Sequence, residues 1–261
     1  MNESVNSGTS SEMTAGNGLA SSVGVGGGSQ AYGEAWYWDN RYSQDSSTFD
    51  WYQKYPSLAP LIRLYVPRRH PILVVGSGNS AFSEGMADDG YDEIVNIDIS
   101  SVVIEAMQRK YLSRPQLKYM KMDVRDMSAF DTRSFAAVID KGTLDSLLCG
   151  QNSQHNSSKM LEEVWRVLKD KGVYILITYG SPNYRLPVLQ NLNWTIKLHV
   201  IEKLQPGNHN NSSNLIPELT SPVPIPIPLD VDEQSFPEAA VGINSDVHYI
   251  YVCIKDDSGT G

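Results

Sequence analysis

The chain has 261 residues and a mass of 28.9 kDa, enough to bury one sizeable core. Its composition, 41% hydrophobic and 20% charged, is that of a globular domain, and no apolar run approaches the roughly 18 residues that span a bilayer, so no membrane association is expected. A formal net charge of -9 and a pI near 5.0 oppose attraction to phosphate backbones; a basic protein or a small molecule suits this surface better than nucleic acid.

Residues 1–30 are mostly Gly, Ser, Asn and Thr and predict a disordered Gly/Ser-rich tail, leaving 31–261 as one folded domain. No Lys or Arg precedes Arg41, which argues against a secretory or organellar leader. The two cysteines, Cys149 and Cys253, form no Cys-x-x-Cys pair, so neither a disulfide framework nor a metal site is expected. The cytosol is the expected location, with the nucleus as the other possibility. No heptad pattern argues for an obligate partner, and a monomer is expected.

From Tyr32 to Tyr55 the composition turns aromatic, and 58–66 continues as a helix. Trp38 and Tyr42 stand four apart and share a face if their segment is helical, either walling a site or packing a core. The run ILVVG at 72–76 reads as a first strand, with a small-residue segment over 77–87. EIVNID, ending at Asp98, is a second strand. SSVVIEAMQRKYL opens with Ser100 as a cap and places Val103, Ala106 and Met107 at helical spacing. LKYMKMD at 117–123 and FAAVID at 135–140 are the third and fourth strands. The stripe Met160, Leu161, Val164, Val167, Leu168 predicts a helix that Gly172 ends, and VYILITY at 173–179 is a fifth strand. Right-handed crossovers then give a parallel sheet covered on both faces, a doubly wound α/β domain. WTIKLHVIEK at 194–203 and HYIYVCIK at 248–255 read as an antiparallel pair at the sheet edge. Between them, 204–247 contains PVPIPIP and predicts an extended, Pro-rich insertion.

Candidate site residues gather at the carboxyl ends of the strands, where ligands of open α/β sheets bind. In VVGSGNSAF, Gly76 and Gly78 let the backbone pass close to a ligand, and together with Ala81 they satisfy a dinucleotide fingerprint. The loop alone leaves the cofactor class open. Asp98 lies about 20 residues on, where a carboxylate can accept both ribose hydroxyls of an adenosine cofactor. In MDVRDM, Asp123 and Val124 stand where an adenine edge would lie, unless Asp123 only caps a turn. IDKGTLDSL brings Asp140, Lys141 and Asp145 to the same edge; Lys141 either contacts a cofactor or pairs with one of the two aspartates.

In order, YWDNRY, FDWY, ILVVGSGNSAFS, NIDISSVVIEAM, MDVRDM, IDKGTLDSLL and EEVWRVLKDKGVYILITY resemble the seven-strand lysine methyltransferases of eukaryotic elongation factor 1-alpha, above all the fourth member of that group. The resemblance runs from about Tyr37 to Lys203. It implies a Rossmann-like, mostly parallel seven-stranded sheet with a C-terminal antiparallel pair, S-adenosylmethionine as cofactor, and elongation factor 1-alpha or a similar protein as substrate. By that likeness Trp38, Tyr42 and Trp51 wall the cofactor site, Gly76 approaches the methionine part, and Asp98 holds the ribose beside Ile99. Asp123 and Val124 flank the adenine and Lys141 completes the pocket. The sequence departs from the wider pattern in carrying Ser80 where a third glycine is common, and in Gly85. The insertion matches poorly and is where substrate selectivity is expected.

A lysine nucleophile has a pKa of about 10.4, so near neutral pH only about one amine in a thousand is free, a handicap of about 4 kcal/mol. Asp140 and Asp145 are the candidate groups for guiding that amine or relaying its proton. Competing readings are a nicotinamide-dependent oxidoreductase, a small-molecule methyltransferase and a non-catalytic scaffold that keeps the cofactor pocket.

Overall fold

The computed structural model describes residues 31–203, 227–228 and 247–256; the expected tail and nearly all of the insertion lie outside the described residues. The first four of five parallel strands follow the predicted order: β1 (Ile72–Val75), β2 (Ile94–Asp98), β3 (Leu117–Lys121) and β4 (Phe135–Lys141). They are joined by β5 (Leu168–Thr178), β6 (Trp194–Glu202), the two-residue β7 (Ile227–Pro228) and β8 (Val247–Lys255) in one sheet of order β3-β2-β1-β4-β5-β8-β6-β7. Seven substantial strands thus match the expected sheet, and β7 adds a short antiparallel edge in the Pro-rich stretch. The terminal strands do pair antiparallel, but β8 enters between β5 and β6, pairing antiparallel with both.

Strand alternation sorts the core into two layers. Ile72, Val74, Ala137, Ile139, Val173, Ile175 and Ile177 face one side, against α2 (Tyr55–Tyr65), α3 (Phe82–Asp88) and α4 (Ser101–Lys110). Leu73, Val75, Val138, Tyr174 and Leu176 face the other, against α5 (Thr143–Leu148), α6 (Ser153–Val167) and α7 (Pro182–Leu189). Every residue of β1 is buried, as a strand covered on both faces requires. The chain before this core adds α1 (Ala35–Gln44), which buries no residue fully.

Two predicted details change. α6 stops at Val167, and Leu168 already pairs with Phe135 in the sheet. Ala137 then pairs with Val173, so residues 169–172 bulge out, and Gly172 belongs to that bulge rather than to a helix end. The helix expected over 100–112 runs Ser101–Lys110: Ser100 Oγ accepts from Val103 N at 3.3 Å as a cap, and Val103 and Met107 face the core as expected, joined by Ile104, while Ala106 is only half-buried.

Gly85 has a packing reason. A Cβ there would lie 2.6–2.8 Å from Tyr55 ring atoms and 2.9 Å from its Cβ, and Tyr55 is itself fixed by donating to Asp89 Oδ2 at 2.7 Å. Gly85→Ala should therefore cost about 1–3 kcal/mol in urea unfolding; an unchanged midpoint would mean that α2 can slide away.

Candidate active site

The parallel strands end level with one another. Val75 pairs with both Ile97 and Asp140, and Asp98 with Lys121, so the loops after β1 to β4 open onto one edge where the strand order reverses between β1 and β4. Gly76 and Gly78 both hold positive φ, +56° and +53°. A Cβ on Gly76 would overlap Thr143 Oγ1, and one on Gly78 would come within 2.6 Å of Tyr42 Oη. Glycine is required at both by conformation and by close approach.

Asp98, 7% exposed, accepts from Gly78 N and Ser100 N, each at 2.9 Å, one to each carboxylate oxygen. Burial pushes its carboxyl up to about 6, against the pull of those two N–H groups. A carboxylate offers about four lone-pair sites, and after Gly78, Ser100 and a further backbone contact from Ile99 it keeps acceptor capacity that a ribose hydroxyl would fill. Ser77 Oγ, buried in the same loop, finds no partner among the described residues. The donors and acceptors present therefore suit an adenosine-bearing group.

Around this edge the N-terminal segment builds walls. Trp38 and Tyr42 stack at 6.0 Å between centroids, and Trp38 Nε1 donates to Tyr32 O at 2.8 Å. Asp39 fastens α1 to the start of α4, accepting from Ser100 Oγ at 2.6 Å and Val102 N at 3.3 Å. Lys141 pairs with neither Asp140 nor Asp145. Its Nζ donates to Asp50 Oδ1 at 3.3 Å and to Trp51 O at 3.0 Å, with the side chain only 8% exposed. Burial lowers its pKa while Asp50 pulls it back. Lys141 thus lines the pocket mainly as the peg that holds the 50–51 segment over it; Ser80 Oγ donates to the same Asp50 oxygen.

The two candidate acid–base residues part company. Asp140 is wholly buried and does not line the pocket: its oxygens take Thr143 N at 2.7 Å, Leu144 N at 3.0 Å and Tyr174 Oη at 2.8 Å. It secures the start of α5, so the expected amine-guiding role does not fit it. Burial, then the Asp145 charge, push it up to about 7. Asp145 does line the pocket, yet its carboxylate is occupied. Oδ1 accepts from Thr178 Oγ1 and Arg185 Nη2, both at 2.6 Å, and Oδ2 from Tyr52 Oη at 2.6 Å.

One cavity, about 1070 Å³ counted out to its open mouth, is lined by Trp38, Tyr42, Trp51, Gly76, Asp98, Ile99, Asp123, Val124 and Lys141, all of them named from the sequence. Asp123 reaches it while holding Arg125 through contacts of 2.6–3.0 Å. The sequence did not single out Tyr52, Tyr179 and Arg125, which also line it, nor Arg185 behind it. Only the FDWY and ILITY motifs hinted at the first two.

A sheet of this order, with a buried carboxylate at the end of β2, has the architecture of S-adenosylmethionine-dependent methyltransferase domains. Residues 73–176 match the methyltransferase domain family. The chain is similar to the bovine (Bos taurus) eEF1A lysine and N-terminal methyltransferase, 36% identical over 184 residues, covering 68% of this chain and 26% of that protein. It is equally similar, at 36% over 164 residues, to the bovine EEF1A lysine methyltransferase 4, covering 59% of this chain and 64% of that one. The chain thus spans about a quarter and under two thirds of these relatives. A solved SAM-dependent methyltransferase from Methanosarcina mazei shares the fold, with TM-score 0.52 at 16% identity over 76% of this chain and 97% of that one.

Two outcomes follow from the buried carboxylates. Arg185→Met, which strands the Asp145 charge, should cost about 3–5 kcal/mol in denaturant unfolding; a loss under 1 kcal/mol would mean that water or another cation reaches Asp145. Asp98 can accept from a ribose hydroxyl and keep its backbone bonds only when ionised. Calorimetric affinity for S-adenosylmethionine should therefore hold near pH 7 and drop about tenfold per unit once pH falls below about 6. Asp98→Asn should bind weakly without that step, and a wild-type affinity flat to pH 5 would contradict the assignment.

Proposed function

We propose that this chain transfers a methyl group to a lysine amine of elongation factor 1-alpha or of a similar protein. The observation that carries the reading is that Trp51, Tyr52 and Tyr179 line the same cavity as Asp98, with the Tyr52 and Tyr179 rings 6.2 Å apart and the Tyr52 hydroxyl bonded to Asp145. Aromatic faces of this kind suit the aliphatic stem of a lysine and a cationic head. The relatives' names support the acceptor, and the net charge of -9 suits a basic protein partner. The free thiols of Cys149 and Cys253 fit a reducing compartment, and the reading places the chain in the cytosol.

S-adenosylmethionine, when bound, supplies an electrophilic methyl group on a sulfonium centre. Asp98 would hold the ribose, with Ile99, Asp123 and Val124 beside the adenine and Gly76 toward the methionine part. Trp38, Tyr42 and Trp51 exclude water, and desolvation in that setting favours the neutral amine over the ammonium. Proximity and orientation carry most of the rate, as expected for a displacement with a good leaving group.

Purified protein, radiolabelled S-adenosylmethionine and elongation factor 1-alpha should give label on the factor that is hydrolysis-stable and maps to lysine. Asp98→Asn should reduce incorporation at least tenfold at low cofactor. No label on the factor with a cofactor-binding wild type would overturn the substrate reading.

A further inference from the structure

Tyr52 is held in an unusual way. Its φ is +63°, a left-handed conformation that a bulky side chain rarely adopts and that costs about 1–3 kcal/mol unless its surroundings enforce it. Three neighbours enforce it. The ring lies against Gly142, where a Cβ would approach Tyr52 Cε2 to 3.2 Å. It packs on His248 at 4.9 Å between centroids. Its hydroxyl donates to Asp145 Oδ2 at 2.6 Å. The next residue, Gln53, ties the backbone to the ends of β6 and β8, donating to Glu202 O at 2.7 Å and lying 3.2 Å from His248 Nδ1.

This geometry assigns the proton. Asp145 is ion-paired with Arg185 and also takes the Thr178 and Tyr52 hydroxyls, so three of its roughly four acceptor sites are used and the Arg185 charge makes it a poor base toward a substrate amine. Burial and the Asp145 charge push the Tyr52 phenol far above its usual range, and it stays protonated. With that proton given to Asp145, the phenol oxygen can offer its environment only lone pairs. Tyr52 and Asp145 both line the cavity, so the hydrogen-bonded pair they form sits at its wall.

We propose that Tyr52 Oη receives an N–H of the incoming lysine amine and so aims the nitrogen lone pair along the cavity. The proposal rests on the lysine-methylation reading and names the residue that would enforce it. The amine arrives neutral, having left one proton in water. One N–H goes to Tyr52 and the lone pair forms the new N–C bond as the methyl leaves its sulfur. The positive charge passes from sulfur to nitrogen, and no carboxylate base is consumed. Asp145 and Arg185 act through Tyr52 as positioning residues: they fix the rotor of its hydroxyl.

The test compares wild type with Tyr52→Phe, which keeps the ring contacts and removes the oxygen. On elongation factor 1-alpha, kcat should fall about tenfold or more, the penalty for an amine left without its partner in a dry site. Calorimetric affinity for S-adenosylmethionine should stay within about twofold of wild type. A kcat near wild type would overturn the proposal, and so would a fall matched by an equal loss of cofactor affinity, which would make Tyr52 a pocket wall only. If Tyr52→Phe does not fold, 3-fluorotyrosine at position 52 keeps ring and hydroxyl while weakening the oxygen as an acceptor. There kcat should still drop several-fold, and an unchanged value would overturn the proposal. A wild type that transfers nothing to the factor would remove the reading beneath, an outcome distinct from an active wild type indifferent to Tyr52.

Discussion

One carboxylate determines where the pieces of this active site can sit. Asp145, on α5, binds Tyr52 from the N-terminal segment, Thr178 from the end of β5 and Arg185 from α7, all within 2.6 Å. Buried charges are tolerated only when paired and saturated with hydrogen bonds, so each partner is confined to the geometry that satisfies this oxygen pair. Gly180 belongs to the same constraint, because any Cβ there would collide with the Arg185 guanidinium. The acceptor end of the pocket inherits its shape from that junction.

The other end depends on a segment with little core of its own. α1 buries no residue fully, and a helix of that kind gains little from apolar burial. Polar pegs hold it and its continuation instead: Asp39 on the start of α4, Asp50 under Lys141, Tyr52 on Asp145 and Gln53 on β6. A doubly wound sheet supplies only the floor, with Asp98 and the glycine loop. The pegged aromatic segment turns that floor into a walled cavity, and two of its pegs, Asp50 and Tyr52, sit on Lys141 and Asp145, which also line the pocket. Cofactor site and lid are thereby mechanically linked, since Lys141 and Asp145 serve both.

Much of this was legible in the sequence because it is local. Alternating strand and helix signals located β1 to β5, Ser100 declared its cap, and Asp98 announced itself by following a glycine loop at the end of a strand. The antiparallel ending was visible as two strand-like runs, but not the insertion of β8 between β5 and β6, which depends on long-range pairing. The same limit hid the roles of charged residues. That Lys141 turns to Asp50, 91 residues away, and Asp145 to Arg185, 40 away, is set by the folded edge and leaves no mark on spacing. Asp140 looked like a pocket carboxylate because it precedes Lys141, yet strand alternation turns it inward beneath α5. Tyr52 stood in an aromatic run that could as well have been core; its positive φ and its single filled acceptor distinguish it, and neither is written in composition.

We propose that the cavity at the strand ends is built for S-adenosylmethionine, with Asp98 as its ribose anchor. Titrating the full chain calorimetrically with S-adenosylmethionine and with NADH, side by side, tests it most directly. Saturable binding of S-adenosylmethionine alone, weakened at least tenfold in Asp98→Asn, is the result the account predicts. Binding of NADH instead, or S-adenosylmethionine binding indifferent to Asp98, would contradict it.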